Sequence, residues 1–145
     1  LMCGLFEKND PLYKYNCLDF KDVLYIGLRD VDEYEQNIID VCNIKHFTSS
    51  DVKKNGIHVR NEIDKWCGNH PLHISFDVDV MDPSIVPGTG TPVADGLSEV
   101  HIQPILNILK HKNWHTFEVV EVNDQLDEFE KTSRFSGNII NKMIV

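Results

Sequence analysis

No stretch of this 145-residue chain has the roughly 20 consecutive apolar residues needed to cross a bilayer. Its first residues also lack the charged and apolar regions of a secretory signal. Cations are scarce. Fourteen Lys and Arg stand against 23 Asp and Glu, and the net charge of −9 argues against nucleic acid or an anionic membrane as partner. The four cysteines, Cys3, Cys17, Cys42 and Cys67, form no CxxC pair. They fit reduced thiols of a cytoplasmic protein better than a disulfide frame or a zinc site. Alanine occurs once, at Ala94, which points to base bias in the coding sequence and not to chemistry. What is present is an ordinary globular composition, 41% hydrophobic and 26% charged, in a chain long enough to bury one real core.

The apolar runs alternate between strand-like and helix-like spacing. Residues 1–21 read as an irregular lead-in. Asp22 to Leu28 is a continuous apolar run suited to a buried strand, and Glu33 to Cys42 follows with Ile38, Ile39 and Cys42 on one helical face. Ile44 to Phe47 is a short strand. Ser49-Ser50-Asp51 are capping residues for a helix over Val52 to Trp66, weakened by Gly56 and ended by Gly68-Asn69. Leu72 to Phe76 is the next strand. Ser98-Glu99 opens a helical stripe of Ile102, Ile105, Leu106 and Leu109, and Pro104 implies that its regular part begins near that residue. Thr116 to Val122 is a strand, and Asp127-Glu128 leads into a last helix with Ile139, Ile140 and Met143 on its apolar side. Strands alternating with helices predict an α/β fold, a mostly parallel sheet between helical layers.

The most informative stretch is Leu72 to Pro92, LHISFDVDVMDPSIVPGTGTP. Its strand delivers Asp77 and Asp79 at the carboxyl end, where open α/β sheets bind ligands. Alternation places both carboxylates on one face, with Cα atoms about 6.5 Å apart. Paired carboxylates suit hard divalent cations, and an unpaired charge in a crevice is costly. Asp82 reads as a turn cap, not a ligand. An EF-hand is ruled out because its sixth position is Asp82 and its twelfth Gly88. His73 and Ser75 share parity with Asp77, and a strand histidine is most simply a core residue. Gly88-Thr89-Gly90 lacks the further glycine of a dinucleotide loop.

The segment Ser75-Phe76-Asp77-Val78-Asp79-Val80-Met81-Asp82-Pro83, followed by Gly88-Thr89-Gly90-Thr91-Pro92, resembles the third metal signature of the ureohydrolases, the arginase and agmatinase family. The resemblance extends over most of the chain from Asp22 onward. It implies the C-terminal part of a three-layer α-β-α domain of the arginase/deacetylase type, spanning residues 1–145. The family's earlier GGDH-type and DAHxD-type metal segments are absent from this sequence. The implied chemistry is hydrolysis of L-arginine to L-ornithine and urea at two manganese ions, commonly in trimers or hexamers. By resemblance Asp77 bridges the metals and shares in proton transfer, and Asp79 binds one of them.

Two further segments carry the likeness. Gly27-Leu28-Arg29-Asp30-Val31-Asp32, with Glu35, looks like the arginase version of its segment. It implies that Asp32, helped by Glu35, binds the α-amino group of arginine, and a carboxylate suits that cation. Arg29 and Asp30 read as structural, paired with each other or with neighbours. Glu118-Val119-Val120-Glu121-Val122-Asn123 is similar to the family's EVNP-like segment, with Asp124 in place of proline. There Glu121 would hold the guanidinium, a natural bidentate match, while Glu118 has the opposite strand parity. Thr91 either approaches the guanidinium or caps the Gly88–Gly90 loop. Asp95 stands where many ureohydrolases carry glycine.

Other readings of these residues are an agmatinase or other guanidino hydrolase, and a non-catalytic, metal-free module. A haloacid-dehalogenase-like phosphotransferase also uses DxD after a strand, but Met81 departs from that motif and GTGTP has no place in it.

Overall fold

The structure is a computed structural model that describes residues 18–145. Cys3, Cys17 and nearly all of the expected lead-in lie outside the described residues. The end of that lead-in is ordered, with a 3-10 turn at Phe20–Asp22. Four strands and four helices follow: β1 (Leu24–Leu28), α1 (Glu33–Val41), β2 (Lys45–Thr48), α2 (Ser49–Cys67), β3 (Leu72–Asp77), α3 (Glu99–Leu109), β4 (Trp114–Val120) and α4 (Lys131–Ile144). The fold is α/β. Its described strands form two parallel pairs, β1 with β2 and β3 with β4, not one continuous ladder.

The expected elements are recovered with instructive shifts. α2 begins one turn earlier than its Ser-Ser-Asp cluster predicts, because Thr48 is the cap. The Thr48 hydroxyl accepts from the Asp51 amide at 3.1 Å, and the Asp51 carboxylate accepts from the Thr48 amide at 2.8 Å. Such a reciprocal box satisfies two otherwise orphaned donors. The weakness assigned to Gly56 falls on its neighbour: Asn55 leaves helical geometry at φ −129°, ψ 36°, and kinks α2. α3 begins at Glu99, five residues before Pro104, so the proline is inside the helix and not in its first turn. The ring removes the amide that would bond the Val100 carbonyl. Val100 is exposed, so water can satisfy that group.

One core joins the two strand pairs. Val59, Ile63 and Cys67 of α2 pack with Phe76 of β3, Ile102, Ile105 and Leu106 of α3, and Phe135, Ile139 and Met143 of α4. Burial pushes the Cys67 thiol up from its ordinary range, as expected for an inert core cysteine. Ile140, expected inside, is 39% exposed, and Phe135, Thr132 and Ser136 take the inner face of α4 instead. His73 also departs from its expected core place. It stands on the exposed face of β3, 3.3 Å from Glu118 on β4.

α4 is anchored by a residue outside it. The Asp127 carboxylate accepts from the Thr132 and Ser133 amides at 2.8 Å each and from the Ser133 hydroxyl at 2.7 Å. Desolvation opposes its charge, but these bonds win and hold the carboxyl down at about 2. The stabilisation is therefore complete above about pH 4 and lost as pH falls through 2. Asp127→Ala should cost about 1–2 kcal/mol at pH 7, measured by urea unfolding, with the penalty shrinking towards pH 2. An unchanged unfolding midpoint at pH 7 would contradict this anchoring role.

Candidate metal centre

Parallel pairing brings the carboxyl ends of β3 and β4 together, with Asp77 aligned on Val120. The chain then leaves both strands by unusual backbone paths. Beyond β3 it tightens at once into a 3-10 turn, Val78–Val80, with Asp77 as its cap. Asp79 therefore does not continue an extended strand, as simple alternation predicts. Its amide instead donates back to Asp77 Oδ1 at 3.1 Å, which gathers the two carboxylates over one turn. β4 ends at Val120, two residues short of expectation, because Glu121 adopts φ +63°. A residue in that left-handed region cannot continue a strand. Glu121 is consequently not a strand residue of fixed parity, and it lies close enough to Asp77 to repel its charge.

The third contributor is the glycine-threonine loop. Thr91 donates its hydroxyl to Asp79 Oδ2 at 3.0 Å, so it orients a site carboxylate and does not cap the Gly88–Gly90 turn. The loop is held from behind by the α4 anchor. The Gly88 amide donates to Thr132 Oγ1 at 2.8 Å, and a Cβ at Gly88 would lie 2.6 Å from Asp127 Cβ. Only glycine fits that approach. This support escaped the sequence reading, although Asp127 followed by Thr132-Ser133 is a polar cluster of helix-capping types. Asp82 behaves as expected and accepts from the Ser84 amide at 3.1 Å and hydroxyl at 2.6 Å.

β1 reaches the same rim. Gly27, at φ +93°, passes so close to Val80 that any Cβ there would collide with Val80 Cγ2. Arg29 donates to the Asp79 backbone carbonyl and through Nη2 to the Val93 carbonyl at 3.1 Å. Its partners are thus neighbouring loops and not Asp30. Asp32 and Glu35 are used differently. Asp32 caps α1, accepting from the Glu35 amide at 2.8 Å, while Glu35 accepts from the Asp32 amide at 3.3 Å. Both are exposed, and among the described residues no hydrogen bond or ion pair joins them to the Asp77 group.

Hydrogen bonds thus join Asp77, Asp79 and Thr91, with Glu121 near enough to Asp77 to repel its charge, whereas Asp32 and Glu35 form a separate capping pair. Desolvation pushes the Asp77 carboxyl up to about 6, and repulsion from Asp79 and Glu121 adds to it against the Asp79 amide bond. Among the described residues no cationic side chain pairs with any of these three acids. Arg29 spends its donors on backbone oxygens. The half-buried carboxylates of Asp77 and Asp79, with the exposed Glu121 adding uncancelled negative charge, fit a hard divalent ion such as manganese. Asp77 and Asp79 are the donors that could hold it. Among the described residues no three or more His, Cys, Asp or Glu are grouped so that together they could hold a metal ion.

The shift of Asp77 has a measurable consequence for the metal-free protein. Folding raises its carboxyl from 3.8 to about 6, so its ionisation opposes folding. That cost is absent below about pH 4, grows as pH rises to about 6 and is constant above. In chelator-treated protein, the stability gained by Asp77→Asn over the parent should follow this course in denaturant titrations. A pH-independent difference would contradict it.

The comparisons with known proteins show the family. The Arginase family model matches residues 6–145. The arginase of Plasmodium berghei is 38% identical over 139 residues, covering 88% of this chain and 39% of that protein. The Entamoeba histolytica arginase, solved in complex with L-ornithine, superposes with a TM-score of 0.80 at 33% identity, covering 87% of this chain and 44% of that one. The arginase of Bacillus subtilis superposes with a TM-score of 0.86 at 26% identity over 99% of this chain and 53% of that one. The chain thus spans about two fifths of the length of the Plasmodium relative. The chain belongs to the arginase family.

Proposed function

We propose that the protein is an arginase, a manganese-dependent hydrolase of L-arginine that yields L-ornithine and urea. In this reading the chain contributes the C-terminal part of a single ureohydrolase domain. The observation that carries it is the group of Asp77, Asp79 and Glu121, uncancelled by any described cation, on a segment that matches the family's metal signature. Asp77 and Asp79 would hold the manganese, the Asp79 carboxylate oriented by the Thr91 hydroxyl. Bound manganese supplies the Lewis acidity that makes hydroxide available near neutral pH.

The remaining work falls to side chains of the chain. Glu121, near enough to Asp77 to repel its charge, is suited to accept from the two parallel N–H donors of a guanidinium. Its carboxylate orients the guanidinium carbon towards the metal-ligating aspartates. Asp77, beside the reacting group in this reading, is also the carboxylate that takes up and returns the proton passed to the leaving amine. The α-amino group of the substrate is assigned to Asp32, with Glu35 beside it, on the rim that β1 shares with β3. Arginine rather than agmatine is favoured by Gly27 to Glu35, whose pattern follows the arginase version and supplies a carboxylate for an amino-acid ammonium. We further infer a cytoplasmic homotrimer or hexamer; the described thiols, Cys42 and Cys67, are free.

The test is metal content and urea release on the protein in its longest natural form, with L-arginine and agmatine compared. About two manganese ions per subunit and arginine-selective urea release are expected. Asp77→Asn should lower turnover by more than about 100-fold, because a carboxylate that would hold the metal is lost. Turnover of agmatine in preference to arginine would overturn the role given to Asp32. Absence of both metal and urea would favour a metal-free module.

A further inference from the structure

One basic residue at the site is not used by the proposed chemistry. Arg29 lies one residue beyond β1, and its guanidinium points at backbone oxygens and not at the nearby carboxylates. Nε donates to the Val93 carbonyl at 3.3 Å, Nη2 donates to the same oxygen at 3.1 Å, and Nη2 also donates to the Asp79 carbonyl. Thr91, two residues before Val93, donates in turn to the Asp79 carboxylate at 3.0 Å. The result is a closed circuit. Arg29 joins the main chain of Asp79 to that of Val93, and Thr91 joins the same loop to the Asp79 side chain.

A second cation holds the far end of the loop. Lys53, on the first turns of α2, donates to the Asp95 carbonyl at 2.7 Å and to its carboxylate at 2.6 Å. Asp95 has φ +64°, a conformation that costs an L-residue free energy unless its surroundings fix it. Immediately beyond, Gly96 packs so tightly on Met81 and Asp82 that a Cβ would overlap their backbone. The segment between Gly88 and Gly96 is thus pinned at both ends.

We propose that Arg29 is a positioning residue for the metal centre, fixing the Asp79 carboxylate through the loop that carries Thr91. This inference rests on the reading of Asp77 and Asp79 as metal ligands. The guanidinium fork spans two carbonyls that belong to different segments, which a lysine ammonium cannot reproduce with the same geometry. Because it binds carbonyls, it leaves the carboxylate oxygens of Asp79 free for a cation and Thr91. Groups that orient metal ligands in this way commonly change affinity by 10–100-fold when removed.

The test uses the protein in its longest natural form, with hydrogen–deuterium exchange and manganese binding as separate readouts. In chelator-treated protein, Arg29→Ala should raise amide exchange across residues 88–96 while exchange in α3 and α4 stays at the parent's level. Manganese titrated by electron paramagnetic resonance should bind about 10-fold or more weakly to Arg29→Ala, with Arg29→Lys intermediate. In an Asp79→Ala background, Arg29→Ala should cause no further loss, since its effect passes through Asp79. Unchanged exchange in the loop, or manganese affinity equal to the parent's in Arg29→Ala, would overturn the positioning role. Equal affinity in parent and Asp79→Ala would instead overturn the ligand assignment and this inference with it, whatever the exchange data show.

Discussion

Everything at the functional end of this molecule follows from placing acids where water cannot fully solvate them. Asp77 is half-buried at the end of β3, its charge opposed by desolvation and by Asp79 and Glu121. Within the described residues the fold supplies no cationic side chain against them. Such an arrangement is unfavourable on its own, and it becomes favourable when a divalent ion shares the oxygens. The cation-binding reading is therefore a statement about charge balance as much as about family likeness.

The surrounding architecture serves to keep those oxygens together. Parallel pairing of β3 with β4 aligns Asp77 with Val120, and the left-handed turn at Glu121 then redirects the chain. The 3-10 turn after β3 folds the Asp79 amide onto Asp77. Gly27, Gly88 and Gly96 each permit an approach that a Cβ would block, against Val80, Asp127 and the Met81–Asp82 backbone respectively. The same Asp127 that anchors α4 thus also shapes the loop behind Thr91. Stability of the last helix and geometry of the site share one residue.

The order and type of the elements were legible in the chain because apolar spacing, caps and breakers agree with one another. What escaped was local. The end of β4 could not be placed, since a positive φ at Glu121 is a tertiary choice that no β-favouring run announces. Pro104 misled for a similar reason, as exposure of Val100 makes the missing hydrogen bond tolerable. In the site, the types of Asp77 and Asp79 were readable and their relative geometry was not, because alternation assumes an extended strand. Asp32 and Glu35 show how one pattern serves two ends: spacing that suggests substrate binding is also that of a capping box. Arg29 could be recognised as structural, but its partners lie 50 and 64 residues away in sequence.

The most direct measurement is anomalous diffraction at the manganese edge from crystals of the protein grown with that metal. A peak about 2.0–2.4 Å from carboxylate oxygens of both Asp77 and Asp79 is predicted, with Thr91 still within hydrogen-bond reach of Asp79. Metal found only at other residues, with Asp77 and Asp79 unliganded, would contradict the assignment of this strand end as the metal centre.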